Sequence, residues 1–225
     1  MHKENPSSYI DAGTRSERRQ PPLTLENYVR DGLLTSAQVD ALQAAIGDRS
    51  NILVSGQTGA GKTTLINALL HLVSRGDDRV LIIEEVPELQ WVSSSKLPRF
   101  VQTHPGYTCR HALREAMRSP PDRIVVGEIR TGAALELVNA WGAGHPGGLA
   151  TIHANSTRGS LERVCQLIRG VGPVALRELV AKTIQVCVHI RRDRSHRAGR
   201  CISSIDRVVG YSPVEGFRVE PLVAA

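Results

Sequence analysis

Aromatic residues are scarce in this sequence. Phe, Trp and Tyr make up 4% of its 225 residues. So few rings do not support a stacking platform for single-stranded nucleic acid, in which successive bases lie on aromatic faces. Long apolar runs are also missing; none approaches the ~20 residues of a membrane-spanning helix. Met1 to Gln20 is polar and lacks the apolar centre of a signal peptide. There are four cysteines, Cys109, Cys165, Cys187 and Cys201, and none forms a C-x-x-C pair. Cys109 and Cys187 each have a histidine two residues on (His111 and His189), but neither has the second close pair that a zinc site needs. The thiols are expected to be reduced and mostly packed. Internal repeats and low-complexity segments are absent as well. These absences point to a cytoplasmic protein that reaches a membrane only through partners.

What is present is ordinary for a globular chain. Hydrophobic residues make up 41%, and the net charge is +6 with a pI near 9.5. The length suffices for a full core. The positive balance permits an acidic partner without choosing one. Residues 1–22, with Pro6, Gly13, Pro21 and Pro22, read as a polar tail or linker carrying Arg18 and Arg19. Residues 23–225 read as one nucleotide-binding domain: a helical lead-in at 23–47, a core at 48–190 and a C-terminal β-hairpin region at 191–225.

The core is organised around Gly56-Gln57-Thr58-Gly59-Ala60-Gly61-Lys62-Thr63-Thr64. It fits the phosphate-loop template of Gly, four residues, then Gly-Lys-Ser/Thr. Its flanks fit as well. Asn51 to Ser55 is a short β-branched apolar run, and Leu65, Ile66, Ala68, Leu69, Leu72 and Val73 recur at helical spacing. Strand, glycine loop and helix are what the chemistry needs. The loop turns backbone N–H groups onto phosphate oxygens, and the helix start adds free N–H groups and a positive dipole end. Lys62 is placed to reach the β- and γ-phosphates of ATP, and the Thr63 hydroxyl to bind Mg²⁺.

Further strands are expected at Arg79–Glu84, Asp122–Arg130, Leu149–His153 and Val186–Ile190, with closing strands at Cys201–Tyr211 and Phe217–Val219. Helices are expected between them, at His111–Met117, Ala133–Trp141, from a Ser156 or Thr157 cap to Ile168, and from Pro173 to Ile184. Residues 92–108 read as an irregular excursion. Strands alternating with helices imply a mostly parallel sheet with helices on both faces. Ligands in such sheets bind at the carboxyl ends of the strands. Glu85, Glu128 and His153 fall at that edge, beside the phosphate loop.

That convergence points to nucleotide hydrolysis. Glu128 follows an apolar strand as a Walker-B acid does, but Gly127 stands where an Asp is usual, so metal contact would run from Glu128 through water. Glu84 and Glu85 are the other candidate acids, in an order the sequence leaves open. His153 and His145 bracket a Gly147-Gly148 loop and a strand, and both are candidates to sense the γ-phosphate. Arg130 could pair with phosphate or with a neighbouring carboxylate. The five arginines of 191–200 read as a solvated hairpin tip, with contact to an acidic partner or a membrane surface as the functional alternative.

Four motifs in order, Gly56–Thr64, Leu81–Leu89 (an Asp box), Asp122–Arg130 and Gly144–Ser156 (a His box), resemble the secretion ATPases of type II and type IV systems. The resemblance runs from about Arg18 to Tyr211. It implies a RecA-like motor domain, hexameric rings, ATP hydrolysis with Mg²⁺, and a cytoplasmic position at the inner membrane among secretion-system components. The energy would drive pilus assembly or substrate transfer in conjugation. Glu84, Glu128 and His153 match the acidic and histidine positions that the family places around the γ-phosphate. The Asp box reads Glu-Glu where Glu-Asp is usual. Family members also carry an N-terminal domain before the segment that begins at Leu23; only about twenty residues precede it here, too few for a domain. A nucleotide-binding chain without independent motor activity is therefore the alternative reading. A small-molecule kinase lacks a lid here, and a DNA-handling ATPase has no motif, so direct DNA binding is not expected.

Overall fold

A computed structural model describes residues 23–93, 96–168 and 173–223. The tail expected at 1–22, with Arg18 and Arg19, lies outside the described residues. Six strands run parallel: β1 (Ile52–Ser55), β2 (Val80–Glu84), β3 (Arg99–Gln102), β4 (Arg123–Val126), β5 (Leu149–Ile152) and β6 (Val186–Arg192). Two more, β7 (Arg200–Ser212) and β8 (Gly216–Pro221), continue the sheet antiparallel. The spatial order is β3-β2-β4-β5-β1-β6-β7-β8.

The apolar runs become strands because both sides of the sheet are covered, so successive residues are all buried. Ile52, Val54, Val80 and Ile82 face one core. There they meet α1 (Leu25–Arg30), α2 (Ser36–Gly47) and α3 (Lys62–Val73) through Leu25, Leu42, Leu65 and Leu69. Leu53, Leu81, Ile83 and Ile124 face the other core. It is built from α4 (Cys109–Ala116), α5 (Ala134–Gly142), α6 (Thr157–Leu167) and α7 (Pro173–Thr183) through Leu113, Leu137, Leu161 and Val180. The period of two along each strand thus assigns neighbours to opposite layers.

One expectation needs correction. The stretch 92–108 is not wholly irregular: Arg99–Gln102 forms β3, paired in parallel register with β2 at the sheet edge. Phe100 and Val101 are buried by that pairing. The N-cap of α2 is Thr35. The Thr35 hydroxyl accepts from the Gln38 N–H at 3.2 Å while the Gln38 side chain accepts from the Thr35 N–H at 2.9 Å, a reciprocal capping box. Of the two candidates for the α6 cap, Ser156 takes the role, its hydroxyl accepting from Gly159 N–H at 2.9 Å.

At the amino edge of the strands lies a part-buried ion cluster. Arg123, opening β4, pairs with Asp78, and its guanidinium donates to the carbonyls of Ile46 at 3.1 Å and Gly147 at 3.2 Å. Arg49 also pairs with Asp78. One side chain thereby ties α2, β4, the turn before β2 and the loop before β5.

All four cysteines are free thiols. Burial pushes Cys109 and Cys187 up to about 12 and Cys165 up to about 11. In the unfolded chain they ionise near ~8.5. Above that pH the unfolded state gives up protons that the folded state keeps, so stability falls as pH rises from there toward 11. The urea midpoint is expected to be lower at about pH 10 than at about pH 8. A midpoint that held or rose would contradict burial of the thiols.

Candidate active site at the carboxyl edge of the sheet

Where β1, β2, β4 and β5 end, their loops surround a cleft of about 820 Å³. Thr58, Gly59, Gly61, Lys62, Thr63 and Thr64 form one wall. The loop leaves β1 after Ser55 and enters α3 at Lys62. Gly59 and Gly61 have φ of +71° and +104°, values that favour glycine, and they let the loop close on itself. Gly61 is the N-cap of α3 and brings no side chain, so the first N–H groups of a twelve-residue helix remain available to an anion. Ala60 packs inward, fully buried. Gly56, Gln57 and Thr58 also border a smaller hollow of about 300 Å³, shared with His153, Ala154 and Asn155.

Lys62 is buried. Its Nζ donates to the Gly56 and Gln57 carbonyls, each at 3.0 Å, and lies 3.3 Å from His153 Nδ1. Burial pulls the lysine below its ordinary value, against the opposing pull of Glu128 and Glu88. From there a chain of polar contacts crosses the cleft. His153 Nε2 lies 3.1 Å from Glu128 Oε1, Glu128 Oε2 accepts from Arg130 at 3.1 Å, and Arg130 also pairs with Glu85. With Nδ1 accepting from an ammonium and Nε2 donating to a carboxylate, the contacts of His153 are met by the Nε2–H tautomer.

The candidate acids separate by role. Glu84, the last residue of β2, is buried, and its Oε2 accepts from the backbone N–H groups of Glu88 at 2.8 Å and Leu89 at 2.9 Å. It shapes the loop that follows. Glu85 is exposed and paired to Arg130. At Gly127, where an Asp is usual, a Cβ would lie 3.1 Å from the Glu84 Cβ, tighter than most such contacts, so a side chain there would require Glu84 to shift by a few tenths of an ångström.

His145 is not brought to the cleft. It precedes β5 and so falls at the amino edge of the sheet, buried, with Nδ1 2.6 Å from the Pro121 carbonyl. His189, noted beside Cys187, is likewise internal: its Nδ1 meets Ser55 Oγ at 2.9 Å, and burial lowers its basicity. Several contributors escaped the sequence reading. Glu88 lines the cleft and acts on Lys62. Asn67, on the buried face of α3, donates to the Glu88 carbonyl and accepts from Gln90 N–H. Its only sequence signal is a polar residue inside an apolar helix pattern. Arg192 and Arg200, assigned to a solvated hairpin tip, lie against the phosphate loop.

The donor set fits a nucleotide with magnesium. Among the described residues, no group of three or more His, Cys, Asp or Glu is placed to hold a metal by itself. A hard cation with few protein ligands suits magnesium held by one hydroxyl, waters and phosphate oxygens. Thr63, at the helix start and lining the cleft, is the residue that would offer that hydroxyl.

A model of the type II/IV secretion system protein family matches residues 18–203. The "Probable conjugal transfer protein TrbB" of Sinorhizobium fredii is 39% identical over 82% of this chain and 57% of its own length. The conjugal transfer protein TrbB of Rhizobium radiobacter is 36% identical over 89% of this chain and 61% of its own. The chain thus spans about three fifths of the length of these two relatives. Among solved structures, the VirB11 ATPase of the Brucella suis type IV secretion system, in complex with sulphate, superposes with a TM-score of 0.67. It is 28% identical, with 84% of this chain and 64% of that one covered.

Proposed function

Because the chain belongs to the type II/IV secretion system protein family, we propose that it binds ATP with magnesium and hydrolyses it as a motor of a type IV secretion or conjugative transfer system. The observation that carries the reading is the single line of contacts from Lys62 through His153 and Glu128 to Arg130, set along a phosphate loop. A mere binding fold needs the loop and the lysine. A carboxylate held beside them adds a group able to orient water and take its proton.

Each residue has a task in that reaction. The loop N–H groups and Lys62 hold the phosphate chain. Glu128 orients the attacking water and takes its proton. His153, hydrogen-bonded to both Lys62 and Glu128, reports whether the γ-phosphate has drawn the lysine away. Arg130 and Glu85 keep the Glu128 carboxylate in place across the cleft mouth. Magnesium supplies neutralisation of phosphate charge, and Thr63 is the residue that would hold it. The remaining family traits belong to the same proposal: a hexameric ring, a cytoplasmic position at the inner membrane, and partners within the secretion apparatus. Among the described residues no helix is long and apolar enough to cross a membrane.

The test is phosphate release from ATP and magnesium across a range of protein concentrations, with particle size measured on the same samples. Turnover that rises as the protein assembles supports the motor. Bound nucleotide with no turnover at any concentration contradicts it and leaves a nucleotide-binding chain without a motor.

A further inference from the structure

The hairpin of β6 and β7 brings a second set of cations to the phosphate loop. Arg192 ends β6 and Arg200 opens β7, and the two are cross-strand partners. β6 lies beside β1 in parallel register, Ser55 opposite His189, so its carboxyl end emerges next to the loop that leaves β1. The β6–β7 register shifts between His189 and Ile190, an irregularity of the kind that re-aims the side chains beyond it. The outcome is close approach. A Cβ on Gly59 would clash with the Arg192 guanidinium, and one on Gly61 with that of Arg200. Arg200 also lines the cleft, together with Lys62, Thr63 and Glu128.

Like charges directly opposite on paired strands oppose folding, and here they are not neutralised. Among the described residues neither Arg192 nor Arg200 has a carboxylate partner; Arg200 Nε donates only to the Ala198 carbonyl, at 3.4 Å. Neighbouring cations are treated differently. Arg191 pairs with Asp193 at 3.1 Å. Arg197 donates to the carbonyls of Asp31, at 3.1 Å, and Arg30, and His196 Nε2 lies 3.3 Å from the Gly32 carbonyl. Those contacts fasten the hairpin tip to the end of α1, so the two unpaired guanidinium groups are held in place over the loop.

We propose that Arg200, assisted by Arg192, contacts the phosphate chain of the bound nucleoside triphosphate from the same subunit. The inference rests on the ATP site described above and adds contact residues to it. Two guanidinium groups with no carboxylate partner among the described residues, packed against Gly59 and Gly61 of a phosphate loop, match a polyanion in charge and in forked donor geometry. Gly59 and Gly61 are then required twice, for their backbone conformation and for the space the arginines occupy.

The experiment is calorimetric titration of ATP with magnesium into the chain and its Lys62→Ala, Arg200→Ala, Arg200→Lys and Arg192→Ala variants, repeated at several salt concentrations. Thermal melting of each variant without nucleotide shows that it is folded. Arg200→Ala is expected to weaken ATP binding about ten- to a hundredfold and to flatten its salt dependence. Arg200→Lys should recover part of the affinity and the whole salt slope, and Arg192→Ala should show a smaller loss than Arg200→Ala. Affinity and salt slope unchanged in folded Arg200→Ala, while Lys62→Ala abolishes binding, would overturn the arginine assignment and leave the ATP site standing. A wild-type chain that binds no ATP would instead remove the ATP site on which the inference rests.

Discussion

Glu128→Gln is expected to lower ATP turnover by about 10²–10⁴-fold and to leave ATP binding within a few-fold of wild type. The exchange removes a base and little else. The amide oxygen still accepts from His153 Nε2, now 3.1 Å from the carboxylate, and Arg130 keeps its pair with Glu85. Lys62 holds its contacts to the Gly56 and Gln57 carbonyls. The cleft keeps its shape, so the loss falls on the chemical step. Steady-state phosphate release beside equilibrium ATP binding separates the two. Equal turnover in the variant would place the base elsewhere, with Glu85 and Glu88 the remaining cleft-lining acids not buried in loop anchoring.

Arg123→Ala is expected to cost about 3 kcal/mol of folding stability, read as a lowered urea midpoint with an unchanged slope. The Arg123 side chain is only 6% exposed. Its removal takes away the side-chain donor of the Gly147 carbonyl and one donor of the Ile46 carbonyl, which keeps the Arg49 N–H at 3.2 Å. Asp78 keeps Arg49 as a partner, which limits the loss. The site lies at the far edge of the sheet from the cleft, so ATP affinity of the folded fraction should hold. A loss near zero would mean that solvent replaces the guanidinium at no cost, contrary to its burial.

The contrast between these two residues shows what was legible in the sequence. Glu128 could be found because it ends an apolar run in a parallel sheet, where strand ends and ligand sites coincide. The same logic covers His153, and Lys62 is announced by the Gly56–Thr64 template. Arg123 opens the same run, and nothing in its neighbours announces a buried cation. β3 was missed because Arg99–Gln102 is four residues long, half polar and flanked by Pro98 and Pro105; an edge strand borrows its order from its partner. His145 and His153 look alike in sequence but stand on opposite edges of the sheet, one before β5 and one after it. Chain direction alone places a residue that precedes a parallel strand away from the carboxyl edge. Glu84 and Glu85 could not be ordered because the loop that Glu84 folds, through the N–H groups of Glu88 and Leu89, is a tertiary feature. The approach of Arg192 and Arg200 to Gly59 and Gly61 depends on where β6 lies relative to β1, which no local pattern encodes.

The most direct measurement is a calorimetric titration of ATP with magnesium into the wild-type chain beside Lys62→Ala. The expected result is saturable binding at one site per chain, lost in Lys62→Ala while the variant still melts cooperatively. Absence of binding in the wild type, or equal binding in both, would contradict the assignment of the cleft as an ATP site.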